Sequence, residues 1–270
     1  MRLRIRCILK WQKKYLMKSE NIDILEWNIF RDIEVKTGIT TRRGGFSNPP
    51  FDSLNLAKHT GDNIEYVDKN REILCNKIGS EKSSYTSGIQ VHGDNIHLVD
   101  SSNKGLNNFE CDALITRDKN ILLNIFVADC VPIVVYDKAK SIGAVCHCGW
   151  KGSKKKLLKK VIYFLIDNYN SYRSDILIGI GPSIGPCCYN VSKDLFESFK
   201  TKKMEGFVKK NSYYLDLKLI NKNQALSVGI PDDNIEIMDY CTSCNNNLFY
   251  SFRKEGESSG RFSCFLEITS

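Results

Sequence analysis

Residues 128–152 read ADCVPIVVYDKAKSIGAVCHCGWKG, a stretch that holds two apolar runs, a cysteine at one end and a histidine at the other. Val131 to Tyr136 and Ile142 to Cys146 are rich in β-branched residues, and the polar Asp137 to Lys140 between them has the character of a hairpin loop. Pairing Tyr136 with Ser141 across that loop sets Cys130 directly opposite His147. Directly opposed residues share a face, with Cβ atoms about 4.5–5.5 Å apart. A thiolate and an imidazole that close can bind one metal ion, or the imidazole can deprotonate the thiol. Slipping the register by one residue would put the two on opposite faces.

Working outward, His147 is followed by Cys148, Gly149, Trp150, Lys151 and Gly152, and then by a helix expected over Ser153 to Asn168. Leu157, Leu158, Val161, Ile162, Leu165 and Ile166 make its apolar stripe, and the lysines between them its wet face. Strand, glycine turn and helix N-terminus in succession offer an anion site beside His147. Lys154 to Lys156 read as a solvated face, not a nucleic-acid contact. Upstream, strands are expected at Cys111 to Thr116 and Asn120 to Val127, the second delivering Asp129 and Cys130. Tyr85 to Val99 reads as two strands around the turn cluster His92, Gly93, Asp94 and Asn95, so His92 sits where a side chain can enter a cleft. His59 and His97 are assigned structural roles. His92, Cys130 and His147 together make three ligands with a fourth position open, the pattern of a catalytic zinc that acidifies its water. A cysteine hydrolase with Cys130 as nucleophile and His147 as base explains the close pair equally well, but leaves His92 without a role.

Elsewhere, Glu34 to Thr41 is a strand running into a Gly/Pro-rich loop over residues 40–56, at whose mouth Arg42 and Arg43 form either a phosphate clamp or a solvated pair. Glu65 to Ile78 is a helix stopped by Gly79. Asp175 to Ile180 is a strand feeding GIGPSIGPCCYNVS, residues 179–192, which lacks the dinucleotide-binding GxGxxG spacing. Helices are expected at Ser192 to Lys200 and Asp216 to Val228, and strands at Ile235 to Met238, Leu248 to Phe252 and Phe262 to Ile268. Cys241 and Cys244 form a CxxC pair, which would need Cys187 and Cys188 to close a structural zinc site; spacing alone does not bring these together.

A chain of 270 residues without linker or repeat is expected to be one domain. Arg2, Arg4, Arg6, Lys10, Lys13 and Lys14 account for six units of the net charge of +8, so the body carries only +2 and nucleic acid is not an expected partner. The basic arm lacks the apolar core of a signal peptide, and no apolar run of about 18 residues spans a membrane. Eleven cysteines in so long a chain, several inside apolar strands, fit reduced core residues and a cytoplasmic location.

The motifs TTRRGGFS, SLNL, QVHG, CDALIT, ADCVPIV, HCGWKG, GIGPSIGPCCY and FYSFRKEGESSGRF occur in this order over about residues 22–268. They resemble those of the laccase-domain, or multicopper polyphenol oxidoreductase, family, which includes purine nucleoside phosphorylases and a peptidoglycan editing factor. The resemblance makes residues 1–21 an extension and 22–270 the catalytic domain, and implies an α/β (mixed α+β) fold of mixed sheets flanked by helices. It implies one zinc held by His92, Cys130 and His147, with copper less favoured. It further implies phosphorolysis of adenosine, inosine and methylthioadenosine, together with adenosine deamination. Small-molecule substrates, purine nucleosides and phosphate, are the partners it implies. Arg42 is the leading phosphate- or substrate-binding candidate, with Asn55, Lys151 and Arg253 behind it. Cys130 and Asp129 complete the catalytic set, Asp129 to orient a ligand, move a proton or support the site structurally. The family commonly carries alanine and arginine at the positions of Cys148 and Lys151. Cys148 points away from His147 if the strand continues, so the metal site survives, whereas Lys151 keeps charge but loses the bidentate fork. The same motifs serve a peptidoglycan-precursor hydrolase or amidase. A polyphenol oxidase is disfavoured because only four histidines are present for several coppers. A basic-arm binding protein with a structural metal is the non-enzymatic alternative.

Overall fold

The hairpin forms with a register two residues from the one expected: Val131–Asp137 and Ile142–Cys148 pair antiparallel, with Pro132 opposite His147 and Val131 opposite Cys148. Asp137 enters the ladder opposite Ile142 and caps the loop, its Oδ1 accepting from the N–H groups of Ala139 and Lys140. Because the displacement is an even number of residues, every side chain keeps its face.

The structure, a computed structural model, describes residues 22–199 and 205–269; the expected basic extension over residues 1–21 lies outside them. In chain order the strands are β1 (Ile24–Leu25), β2 (Val35–Thr40), β3 (Tyr85–Ile89), β4 (Ile96–Val99), β5 (Phe109–Glu110), β6 (Ala113–Thr116), β7 (Leu122–Val127), β8 (Val131–Asp137), β9 (Ile142–Cys148), β10 (Ile176–Ile180), β11 (Asn190–Val191), β12 (Gly206–Lys209), β13 (Ser212–Leu215), β14 (Ile235–Ile237) and β15 (Phe262–Ile268). The α-helices are α1 (Ile64–Ile78), α2 (Trp150–Lys154), α3 (Leu157–Tyr169), α4 (Lys193–Ser198), α5 (Leu217–Ser227) and α6 (Phe252–Glu255). One six-stranded sheet runs β1-β2-β15-β7-β3-β5 and a second runs β14-β10-β8-β9-β6-β4, while β11-β13-β12 make a small third sheet. The fold is mixed α/β, as the family resemblance implies.

Alternation along β8 and β9 accounts for the layering. Val134, Tyr136 and Val145 face the first sheet and pack with Leu123, Ile125, Cys264 and Leu266. Val131, Ile133, Val135, Ala144, Cys146 and Cys148 face the other way, onto Leu157, Leu158, Val161, Ile162 and Leu165 of α3. With both faces covered, β8 and β9 are buried throughout, which is why they read as continuous apolar runs. Across the first sheet, Leu74 and Cys75 of α1 join Leu122, Phe126 and Phe265. The two large sheets approach closely at Gly143, where a Cβ would lie 2.2 Å from Leu266 Cδ2. A side chain there would overpack the core at a cost of about 1–3 kcal/mol.

Three local expectations are corrected. The helix expected over residues 153–168 is two helices, broken where Lys156 adopts a left-handed φ of 63°. Leu248 to Phe252 is not a strand: Leu248 and Phe249 donate to the carbonyl of Asn245, closing a turn that buries Phe249 and Tyr250 before α6 begins. Burial in a loop gives the same apolar run as burial in a strand. The strands flanking His92 also belong to different sheets, so His92 lies on the crossover between the layers. No helix among the described residues is long and apolar enough to cross a membrane.

Candidate functional site

His147 is the penultimate residue of β9 and shares the inter-sheet face with Val145, so its ring enters the space between the two large sheets at their rim. Cys130 comes just before β8. Continuing the register one residue past the strands brings Gly149 opposite Cys130 and leaves His147 on the neighbouring diagonal, which cross-strand side chains can span. A Cβ on Gly149 would lie 2.9 Å from Cys130 Sγ, so the site needs that glycine. His92 arrives on the crossover turn with φ of 57°. Its ring centroid lies 4.8 Å from that of His147. The ligand atoms of His92, Cys130 and His147 all fall within 4.8 Å of one another.

The orienting group is Asp112, fully buried just before β6. Its Oδ1 lies 2.7 Å from His147 Nδ1 and accepts the N–H of His92 at 3.0 Å, while Oδ2 accepts the N–H of Gly93 at 2.6 Å. One carboxylate thus holds both histidines and leaves His147 Nε2 as the free ring nitrogen. Burial pushes the Asp112 carboxyl up, but contact with His147 and the Gly93 N–H outweighs it and holds the carboxyl below its ordinary value. Burial also pushes the Cys130 thiol up, but the His147 and His92 rings bring it down to about 6. His147 moves oppositely: burial pushes it down, and Cys130 and Asp112 carry it up to about 9. Two imidazoles and one thiolate, preset by a buried carboxylate and opening on a cavity, fit a divalent metal ion with a position left for a ligand.

That cavity, about 400 Å³, is lined by the three candidate ligands together with His59, Gln90, Phe126, Asp129, Tyr189, Phe252, Arg253 and Arg261, among others. Asp129, at φ of 85°, knots the surrounding loops: Oδ1 accepts the Thr242 hydroxyl at 2.5 Å, Oδ2 accepts the Arg253 N–H at 2.6 Å, and its carbonyl accepts the Ile184 N–H at 2.9 Å. Arg253 lies over Tyr189 and donates to the carbonyls of Cys188 and Asn190. Arg261 lies over Phe252 and donates to the carbonyls of Ser259 and Gly260.

Other expected contacts are placed elsewhere. Arg42 does not line the cavity: its guanidinium donates to the carbonyls of Asp52 and Asn246 and pairs with Glu255 at 2.7 Å, over the Tyr250 ring. Asn55 is fully buried, its Oδ1 accepting from Arg261 N at 2.9 Å and its Nδ2 donating to Thr60 and Asp62. Lys151 is exposed on α2, with Nζ 5.6 Å from the Trp150 ring centroid. The helix N-terminus expected as an anion site belongs to α2, only five residues long, which reduces its dipole. Cys148 turns into the helix-side core, away from His147, and Lys154 to Lys156 are exposed.

Asp112, Arg261 and His59 are among the site residues absent from the sequence-based set. Asp112 had a signal, an acid between Cys111 and the apolar run ALIT, where an unpaired carboxylate would be costly. Arg261 sits within FYSFRKEGESSGRF and His59 had no visible partner; both reach the cavity from loops far from residues 128–152 in sequence. His97 does take a structural role, stacked on Phe109 at 3.8 Å.

Comparison with known proteins identifies the family. Residues 36–269 match the family model described as multi-copper polyphenol oxidoreductase laccase. The chain is 32% identical over 245 residues to a protein named purine nucleoside phosphorylase YlmD from Bacillus subtilis, covering 86% of this chain and 88% of that one. It is 31% identical over 271 residues to purine nucleoside phosphorylase SSP1584 from Staphylococcus saprophyticus, covering 94% and 99%. Among solved structures, YlmD from Geobacillus stearothermophilus superposes with a TM-score of 0.86 at 30% identity, covering 90% of this chain and 94% of that one. With a family model spanning nearly all the described residues and relatives matched along most of their length, the chain belongs to the multi-copper polyphenol oxidoreductase laccase family.

Proposed function

We propose that the chain is a cytoplasmic zinc-dependent purine nucleoside phosphorylase that cleaves adenosine, inosine and methylthioadenosine with phosphate and also deaminates adenosine. The observation that carries this reading is the donor set His92, Cys130 and His147 opening on a cavity that Arg253 and Arg261 also line. The purine nucleoside phosphorylase names of the relatives support the substrate class.

His92, Cys130 and His147 would hold the zinc, which when bound supplies Lewis-acid charge to one wall of the cavity. Arg253 and Arg261 put guanidinium charge on the cavity wall, suited to an oxyanion such as phosphate, with the donors not given to the Cys188, Asn190, Ser259 and Gly260 carbonyls left to bind it. Tyr189, Phe252 and Phe126 provide aromatic surface suited to a purine. Asp112 fixes the His147 ring. Asp129, with both oxygens engaged, positions Arg253. Arg42 and Asn55 act at one remove: Arg42 holds Glu255, which accepts the N–H of Ser251 and the Ser259 hydroxyl, and Asn55 accepts the N–H of Arg261.

The lowered thiol of Cys130 beside His147 favours a second reading, a hydrolase with Cys130 as nucleophile and His147 as base. Product analysis separates the two. Inosine incubated with purified protein is expected to give hypoxanthine and ribose 1-phosphate only when phosphate is present, and Cys130→Ala is expected to lose both metal and activity. Release of free ribose at the same rate without phosphate would overturn the phosphorylase reading.

A further inference from the structure

Next to the cavity-wall residues Tyr189 and Arg253, two loops converge. The loop after β10 carries Cys187 and Cys188, and the loop after β14 carries Cys241 and Cys244. The four Sγ atoms lie within 4.8 Å of one another, although the two pairs are more than 50 residues apart in sequence. We infer that Cys187, Cys188, Cys241 and Cys244 form a second metal site, a closed tetrathiolate for a single zinc ion that staples these two loops together beside the cavity.

The distances favour one ion. Tetrahedral zinc with Zn–S bonds of about 2.3 Å places its sulfurs about 3.8 Å apart. Cys187 and Cys188 lie 3.6 and 3.4 Å from Cys244. These separations are well beyond the roughly 2.05 Å of a disulfide. They also crowd out an iron–sulfur cluster, whose cysteines must reach separate irons. Four soft thiolates in one tetrahedral set select zinc among the common divalent ions. The four thiols would release their protons to water as the ion binds.

The backbone is already arranged for thiolates. Gly185 N–H donates to Cys241 Sγ at 3.2 Å, and Asn245 N–H closes the CxxC turn onto the Cys241 carbonyl. A Cβ on Gly185 would meet Cys241 Cβ at 3.1 Å and Cys187 Sγ at 3.3 Å, so the cluster closes around a position without a side chain. The loops are already joined by a parallel bridge between Ser183 and Cys241 and by the Thr242 N–H to the Ser183 carbonyl. The same segments carry Ile184 and Tyr189 into the cavity, give Thr242 to Asp129, and offer the Cys188 carbonyl to Arg253. The metal would thus fix the wall without touching substrate, whatever reaction the cavity performs.

The test is metal content and zinc X-ray absorption on the full chain purified under reducing conditions with zinc supplied. Wild-type protein is expected to hold two zinc ions, and Cys130→Ala to keep one, with an absorption spectrum fitting four sulfurs at about 2.3 Å. Cys187→Ser and Cys244→Ser, at exposed positions where folding is least at risk, are expected to keep only the other ion, whose shell mixes nitrogen and sulfur. Their circular dichroism checks that they fold. The inference is overturned if folded Cys244→Ser retains as much zinc as wild type, if the ion left in Cys130→Ala has a nitrogen- or oxygen-containing shell, if iron fills the site instead, or if the four cysteines are found paired as disulfides without metal.

Discussion

Asp112 Oδ1 stands 2.7 Å from His147 Nδ1 and also receives the backbone N–H of His92, so one buried carboxylate orients two of the three candidate ligands. An amide in its place would offer a hydrogen to a ring nitrogen that now faces an acceptor, and would retain only one oxygen for the turn. Asp112→Asn is expected to leave the fold intact and to weaken zinc binding about 10–100-fold, measured by competition against a chromophoric chelator. Unchanged affinity would remove Asp112 from the site's machinery.

Gly149 carries no strain in φ, yet a Cβ there would lie 2.9 Å from Cys130 Sγ and 3.4 Å from His92 Cδ2. Gly149→Ala should therefore displace the ligands and lower zinc occupancy of the mixed-ligand site. Zinc counted in the Cys244→Ser background reads this directly, and full occupancy there would show that the site can yield.

The Arg42–Glu255 pair is largely buried, and both partners are also bonded to backbone. Removing one partner strands the other, at a cost of about 3–5 kcal/mol. Arg42→Ala is thus expected to lower the urea midpoint strongly. A variant as stable as wild type but with a raised KM for phosphate would instead place Arg42 in direct contact with substrate.

Lys156 sits exposed at φ of 63° between α2 and α3. A left-handed backbone costs a side-chain-bearing residue about 1–2 kcal/mol, and glycine nothing comparable. Lys156→Gly should raise the melting temperature, in contrast to the usual effect of glycine near a helix. A lowered melting temperature would mean that the lysine side chain matters more there than the backbone.

Much of the arrangement could be read in residues 128–152 because alternation with period two survives an even slip. The pairing was displaced by two residues, since Asp137 joins the ladder instead of the loop, yet Cys130 and His147 stayed on one face and Cys148 on the other. What spacing could not supply was partnership over distance. Arg42 lies at a loop mouth like a phosphate clamp, but its donors are taken by Asp52, Asn246 and Glu255, the last two more than 200 positions away. Arg261 and His59 reach the cavity only because loops remote in sequence fold over the sheet rim. The break at Lys156 was hidden because the apolar stripe continues across it, and the Leu248 to Phe252 run because loop burial demands apolar residues as strands do.

The most direct test is zinc reconstitution of chelator-stripped protein, following inosine phosphorolysis as zinc is added. The stripped protein should be inactive and regain phosphate-dependent hypoxanthine release as the His92, Cys130 and His147 set fills, while Cys130→Ala stays inactive at every zinc concentration. Full phosphorolysis by the metal-free protein, or none by wild-type protein with the site loaded, would contradict a zinc-dependent phosphorylase built on these three residues.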